Sequence, residues 1–388
     1  MIKSNFSGER LRSARMYRGI TLTELAKRCN LNKQCISFYE NNLNTPDYSK
    51  VQIIAKELNF PYDYFFQENG IIAKEEITYF RSLATATKRA RISQSIKLQY
   101  VAKIYEILMN FISFPKLNLP KFDFNGNEKE IKKIAEIVRK HWQLDNQPID
   151  NLQYILEKNG IIITGFSTKE NKIDAFSQQT TIKGKDNYFI AIALGEKPQG
   201  RIYFDMAHEL GHILLHSWKD NLNNLSKEEF KKREKQANIF ASEFLLPEKT
   251  FKEDASLYPT TLSYYEFLKN KWKVSIQAMI YKAHIMELMS DNQYEYMMRQ
   301  ISKKGWKKCE PNDYPYLLNE NIFQSAIDIL IENNVFSSEN ILDLLKNNGI
   351  NLYAEDIEEI LNLKPNTLKV KEKISPVIHI KNHLKIDL

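Results

Sequence analysis

The segment His208-Glu209-Leu210-Gly211-His212 sets two imidazoles four residues apart, with a carboxylate directly after the first. On a helix, positions i and i+4 share a face, so both rings can reach one metal ion. Glu209 then lies beside that ion, where it can take a proton from water. A hydrolytic metal site also needs a third protein ligand and one open position. Downstream, Glu234-Lys-Gln-Ala-Asn238 puts a carboxylate and an amide on one face of a second predicted helix. We assign Glu234 as the third ligand and Asn238 as a group that orients it or a histidine ring. Glu243, further along the same helix, is the rival ligand. His216 continues the face of His208 and His212 and is read as a hydrogen-bonding residue at the helix end. The pattern calls for one Zn²⁺ per chain, with Glu209 as the catalytic base.

These residues need rigid elements to hold them. Tyr188 to Leu194 is a continuous apolar run suited to a buried strand, followed by turn-rich Gly195 to Gly200. Arg201 to His216 carries Met206, Leu210, Ile213 and Leu214 at helical spacing. Ser226 and Glu229 have the spacing of a capping box that opens the second helix, which Pro247 closes. Further upstream the pattern predicts helices over Glu128 to Trp142 and Asn151 to Asn159. Strands follow over Ile161 to Phe166 and Ile173 to Ser177. The strand Tyr188 to Leu194 is expected to accept an extended substrate as an added strand. Tyr264, Tyr265 and His284 are candidates for stabilising an oxyanion, and nothing in the sequence selects one.

The string Arg201-Ile-Tyr-Phe-Asp-Met-Ala-His-Glu-Leu-Gly-His-Ile-Leu-Leu-His216, followed by Glu234-Lys-Gln-Ala-Asn-Ile-Phe-Ala-Ser-Glu-Phe-Leu-Leu-Pro247, resembles the ImmA/IrrE family of metallopeptidases. The resemblance implies a zincin-like α+β domain with a small sheet. It also implies Glu234, rather than Glu243, as the third zinc ligand. Phe244 and Leu246 stand where Leu and Met are usual in the family, a difference of packing. The resemblance further implies a cytoplasmic protease of bacterial or phage type that acts on DNA-bound regulators.

The amino-terminal third carries a separate signal. Arg10 to Phe66 reads as five short amphipathic segments, with Thr21 and Glu24 forming a capping box and Asn32 preceding the third. The run Thr21 to Asn41 resembles an Xre-type helix-turn-helix, with Leu25, Ala26, Leu31 and Ile36 as its small core. In such a motif the start of the second helix enters the major groove. Lys33, Gln34 and Ser37 then face base edges, Gln suiting adenine and Lys guanine. Thr23, Asn41 and Asn44 are candidate phosphate contacts. Pro46 and the run Val51, Ile54, Ala55 and Leu58 match a fourth helix.

Composition bounds the rest. The chain has 388 residues, 43% of them hydrophobic, and a formal net charge of +7, a modest basic balance compatible with a polyanion partner. Its three cysteines, Cys29, Cys35 and Cys309, have no metal-binding spacing; Cys29 and Cys35 are expected in the helix-turn-helix core. No apolar stretch approaches membrane-spanning length and no signal-like segment opens the chain, so a cytoplasmic protein without a membrane partner is expected. The expected architecture is multidomain and mainly α. An all-α helix-turn-helix domain occupies 1–70, a helical linker 71–125, a metallopeptidase domain 126–290 and a helical C-terminal module 291–388. Lys88, Arg89 and Arg91 read as a solvated helix face, Lys303 to Lys308 around Trp306 as a surface turn, and Val377 to Ile380 as a strand or loose tail. The expected partners are a double-stranded DNA operator and a protein substrate, a repressor or other locally encoded regulator cut in trans or in cis, with a homodimer left open. The alternative is a regulator or antitoxin whose peptidase-like domain senses a ligand or binds a partner without cutting.

Overall fold

The computed structural model describes residues 6–67, 78–80, 87–167, 174–195, 197–218, 225–316, 318 and 321–369. The expected strand or tail at Val377 to Ile380 lies outside them. The helix-turn-helix region comprises α1 (Gly8–Tyr17), α2 (Leu22–Arg28), α3 (Lys33–Glu40) and α4 (Tyr48–Leu58), closed by a 3-10 turn over Tyr62–Phe66. Its boundaries follow the caps. Thr21 and Glu24 form a reciprocal capping box, Asn32 accepts from the Cys35 amide, and Asp47 caps α4. Leu25, Ala26 and Ile36 are buried as expected, whereas Leu31 and Cys35 are only half-buried.

The strands β1 (Thr78–Phe80), β2 (Ile161–Ser167), β3 (Ala175–Ile182) and β4 (Lys185–Leu194) form one mixed sheet in the order β1-β3-β4-β2. β2 runs parallel to β4, while β3 is antiparallel to both β4 and β1. The expected strand ending at Ser177 continues to Ile182, and its start at Ile173 lies outside the described residues. The extension forms a hairpin, because Lys183 and Gly184 both adopt positive φ (49° and 74°), as a two-residue primed turn requires. The expectation that Tyr188 to Leu194 receives an added strand fails, since β4 is flanked on both sides by β2 and β3.

The sheet is a wall between two cores. On one face Ile161, Ile163, Ala175, Ile190 and Ile192 join a core with the peptidase-like helices. On the other, Ile162, Phe176, Phe189, Ala191 and Ala193 join the core of the helix-turn-helix region. Burial on both faces is why β4 reads as an unbroken apolar run instead of an alternating one.

The first core contains α6 (Glu128–His141), α7 (Leu152–Lys158), α8 (Gln199–Leu215), α9 (Lys227–Leu245), α10 (Glu248–Ala255), α11 (Leu262–Trp272), α12 (Ile276–Ile285) and α13 (Asp291–Lys303). Met297 and Ile301 of α13 belong to it, so the expected boundary at 290 separates α13 from helices whose core it shares. The second core contains α5 (Lys88–Leu108), α14 (Ile322–Glu332), α15 (Ser338–Asn347) and α16 (Ala354–Leu361). The stretch expected as a helical linker therefore includes a core helix: Ile96, Tyr100, Val101, Ile104 and Leu108 of α5 are all buried. Polar ties join the parts. Arg18 makes a two-pronged pair with Asp356 on α16, both contacts 2.6 Å, and Thr164 Oγ1 on β2 donates to the Ile360 carbonyl at 2.7 Å. Lys88 and Arg89 are exposed, as expected of a solvated face, and Arg89 there forms a surface pair with Glu24, whereas Arg91 is half-buried.

Candidate metal centre and DNA-reading helix

α8 carries His208, Glu209 and His212, and α9 carries Glu234 and Asn238. Small residues bring the two helices together. A Cβ added at Gly211 would stand 3.1 Å from Ala237 Cα and 3.3 Å from the Ala237 carbonyl oxygen, so even alanine there would require α9 to give by a few tenths of an ångström. α9 begins where Ser226 accepts from the Glu229 amide. The expected capping box differs in its second half, because the Glu229 carboxylate reaches Arg233 at 3.2 Å.

At this close approach three ligand atoms converge. His208 Nε2 and His212 Nε2 are 3.0 Å apart, and Glu234 places Oε1 3.1 Å from His212 Nε2 and Oε2 3.5 Å from His208 Nε2. Glu243, the rival, instead pairs with the buried Lys282 of α12. Burial alone would raise the Glu234 pKa, but the two neighbouring imidazoles outweigh it and hold the carboxyl at about 2, hence ionised.

The hydrogen bonds behind the ligands fix the imidazole tautomers. Nδ1 of His208 lies 3.0 Å from Asn238 Oδ1, an acceptor, so Nδ1 carries the proton and Nε2 the lone pair. Behind His212 runs a longer chain. Gln236 Nε2 donates to the Gly126 carbonyl at 3.0 Å, which turns Oε1 toward His216 Nε2, also at 3.0 Å. His216 Nε2 must then donate, leaving its Nδ1 to accept from His212 Nδ1 at 2.9 Å. His216 is kept neutral for that task, since burial, reinforced by His212, lowers its pKa to about 3. Both Nε2 lone pairs therefore point at each other and at a carboxylate, an arrangement a shared cation resolves. Two imidazole nitrogens and one carboxylate oxygen suit zinc.

Glu209 is fully buried, and Ser177 Oγ of β3 donates to its Oε2 at 2.6 Å. Neither Ser177 nor Gln236 stands out in the amino-acid sequence. Ser177 carries no signal of its own, because it is one of five consecutive polar residues, Ser177 to Thr181, in β3. Gln236 lies inside the Glu234 to Asn238 motif, one residue from the close contact with Gly211. The oxyanion candidates fare differently. The Tyr264 and Tyr265 hydroxyls donate to the backbone carbonyls of Asp254 and Pro259, and His284 contacts Asp291 and stacks on Tyr294. A cleft of about 990 Å³ opens beside Asn238, lined among others by Phe204, Ser242, Tyr281 and Met298.

In the amino-terminal region, Thr23, Lys33, Gln34, Asn41 and Asn44 are exposed and Ser37 is half-buried. Lys33 and Gln34 open α3 directly after the Asn32 cap. The Asn41 amide donates to the Ser37 carbonyl at 2.8 Å.

Family comparison agrees with this division. Residues 156–284 match the model of the IrrE N-terminal-like domain, a peptidase family, and residues 8–71 match a helix-turn-helix domain. No curated protein matches the chain. The chain is a fusion of a helix-turn-helix domain with a peptidase-like domain, a DNA-binding regulator of mainly helical build. Among the described residues, no helix is long and apolar enough to cross a membrane.

Proposed function

We propose that the chain is a zinc-dependent endopeptidase carried to DNA by its own helix-turn-helix, and that it cuts a DNA-bound repressor or other regulator to relieve repression of a neighbouring operon. The observation that carries this reading is the convergence of His208, His212 and Glu234, with both imidazole tautomers set to offer Nε2. A zinc ion held by these three supplies Lewis acidity to a scissile carbonyl and to water. Glu209 is the base: it takes the proton of the attacking water and later delivers it to the leaving amine. Ser177 holds one oxygen of that carboxylate, steadying its orientation. Asn238 and the His216–Gln236 pair orient the ligand imidazoles, while the cleft beside Asn238 offers room for substrate side chains. Lys33, Gln34 and Ser37 read base edges, with Thr23 and Asn41 on the backbone. Tethering to an operator raises the local concentration of a substrate bound nearby.

The test begins with metal content. Purified protein should hold about one zinc per chain. Glu234→Ala should weaken zinc about tenfold or more, and Glu243→Ala should not. Glu209→Gln should keep the metal and stop cleavage. Wild type and Glu209→Gln are then incubated with zinc, with and without operator DNA and products of adjacent genes. A Glu209-dependent fragment identifies the substrate and separates cleavage in trans from cleavage in cis. An operon that responds equally in both strains, with no fragment, would mean that the domain senses without cutting.

A further inference from the structure

The outer edge of β3 is where an incoming peptide could add a strand closest to Glu209. β3 carries Ser177, whose hydroxyl touches the Glu209 carboxylate at 2.6 Å. The inner edge of β3 is taken by β4, and the other flank of the sheet, β2, is packed against α16. An extended peptide binding beside Glu209 by strand addition therefore has the outer edge of β3 as its lane. That lane is already filled by the chain itself. β1 lies antiparallel along it, with Thr78 opposite Gln178, Tyr79 opposite Ser177 and Phe80 opposite Phe176. Partners in such a ladder have Cα atoms about 5 Å apart, so the backbone at Tyr79 runs beside the residue that holds the proposed base.

Two further observations bear on this strand. His208, Glu209 and His212 are at most 1% exposed, so the side chains beside the β3 edge are closed to solvent. Among the described residues β1 spans three, so a longer peptide offers more pairs along β3 than those three supply. Both ends of its segment lead to the helix-turn-helix region. The 3-10 turn ending at Phe66 precedes it. α5 follows, tied back by Arg89 to Glu24 and by Ser93 Oγ donating to the Tyr17 carbonyl at 2.6 Å.

We propose that β1 is a built-in occupant of the substrate lane: an extended peptide substrate pairs antiparallel with β3 where β1 now lies, and the two compete. This rests on the peptidase reading and adds where its substrate binds and what holds the site closed. Because the segment is anchored at both ends on the helix-turn-helix region, movement of that region on α5 changes how readily β1 leaves.

The test uses the full chain with Glu209→Gln, so that bound peptide is not cut. The probe is a fluorescein-labelled peptide with the sequence of Lys74 to Ala84, followed by anisotropy. Adding Tyr79→Pro removes a backbone donor and disfavours pairing, so the peptide should bind at least tenfold more tightly than to the parent. Tyr79→Gly with Phe80→Gly should act in the same direction, and it carries the test if the proline variant loses its fold. Hydrogen exchange at residues 176–178 should rise in the variants and fall again with peptide, while α8 and α9 keep their protection. Equal peptide affinity in parent and variants, or unchanged exchange at 176–178, would overturn the proposal. The two readings fail separately. Peptide binding that responds to β1 in a chain that cleaves nothing removes only the peptidase. Cleavage in a chain whose peptide binding ignores β1 removes only the lane.

Discussion

The chain of hydrogen bonds behind His212 makes a quantitative demand. Gln236→Leu keeps roughly the volume of the side chain but deletes both the acceptor facing His216 and the donor to the Gly126 carbonyl. With Oε1 gone, nothing in that chain requires His216 Nε2 to donate. His216 is then free to place its proton on Nδ1, facing His212 Nδ1 at 2.9 Å. Two donors cannot share that contact, so His212 shifts its proton to Nε2, the atom needed for the metal, or rotates away. Loss of an outer hydrogen-bond partner of this kind costs about 10- to 100-fold in metal affinity, or about 1.4–2.7 kcal/mol. His216→Ala should fall in the same range, and the double variant should add little to either single one, because both break one chain. The assay is competitive zinc titration against a chromophoric chelator at neutral pH, with circular dichroism to confirm folding. Zinc affinity within about twofold of wild type for folded Gln236→Leu would refute the tautomer argument, as would fully additive losses.

Other expectations follow from the same contacts. Glu157 is a buried carboxyl whose pKa burial pushes up to about 8. Its folded pKa exceeds the unfolded value, so ionisation favours the unfolded chain, and stability falls as pH rises from about 4.5 to about 8. Glu157→Gln should therefore stabilise at pH 7.5 by on the order of 2–4 kcal/mol and have little effect at pH 4.5; a melting-temperature gain that is independent of pH would contradict this. Gly211→Val should separate α8 from α9 and abolish tight zinc binding, through the 3.1 Å approach to Ala237; tight zinc binding by the folded variant would show that the close contact is dispensable. Lys33→Ala and Gln34→Ala should each cost about 1–3 kcal/mol on the cognate operator and relax one base position. Equal losses on all sequences would move these residues to backbone contacts.

Local chemistry made much of the molecule legible in the sequence. Thr21 and Asn32 mark helix starts because a short polar side chain is needed where amides lack partners. The spacing of His208 and His212 indicates a shared helical face, and Glu234 lies within reach of both rings. What stayed hidden depends on pairing between distant segments. Nothing near Tyr188 to Leu194 says which strands flank it, so β4 looked available to a peptide when it is interior. Thr180, Thr181 and Ile182 carry no alternating pattern of their own, and the hairpin is set by the turn at Lys183 and Gly184. Lys282 and Glu243 find each other across α12 and α9, a contact that spacing along one helix does not reveal. Ser177 reads as an ordinary strand residue until β3 is laid over α8.

The two-faced sheet gives the fusion a physical logic. A helix-turn-helix region joined by a free tether would share no core with the sheet that carries the peptidase-like helices. Here Phe189 and Ile190, adjacent on β4, point into different cores, one shared with the helix-turn-helix region and the other with α8. Arg18 adds a second connection, because its guanidinium binds the carbonyls of Leu58 and Asn59 as well as Asp356 on α16. A displacement of the helix-turn-helix region must therefore either break a half-buried, two-pronged ion pair or carry α16 with it. α16 leans on β2 through the Thr164 bond, and β2, β4 and β3 form one hydrogen-bonded ladder ending at Ser177. Close-packed layers of this kind transmit displacement better than they absorb it. The helix-turn-helix region and the Glu209 carboxylate are thus mechanically connected through the sheet.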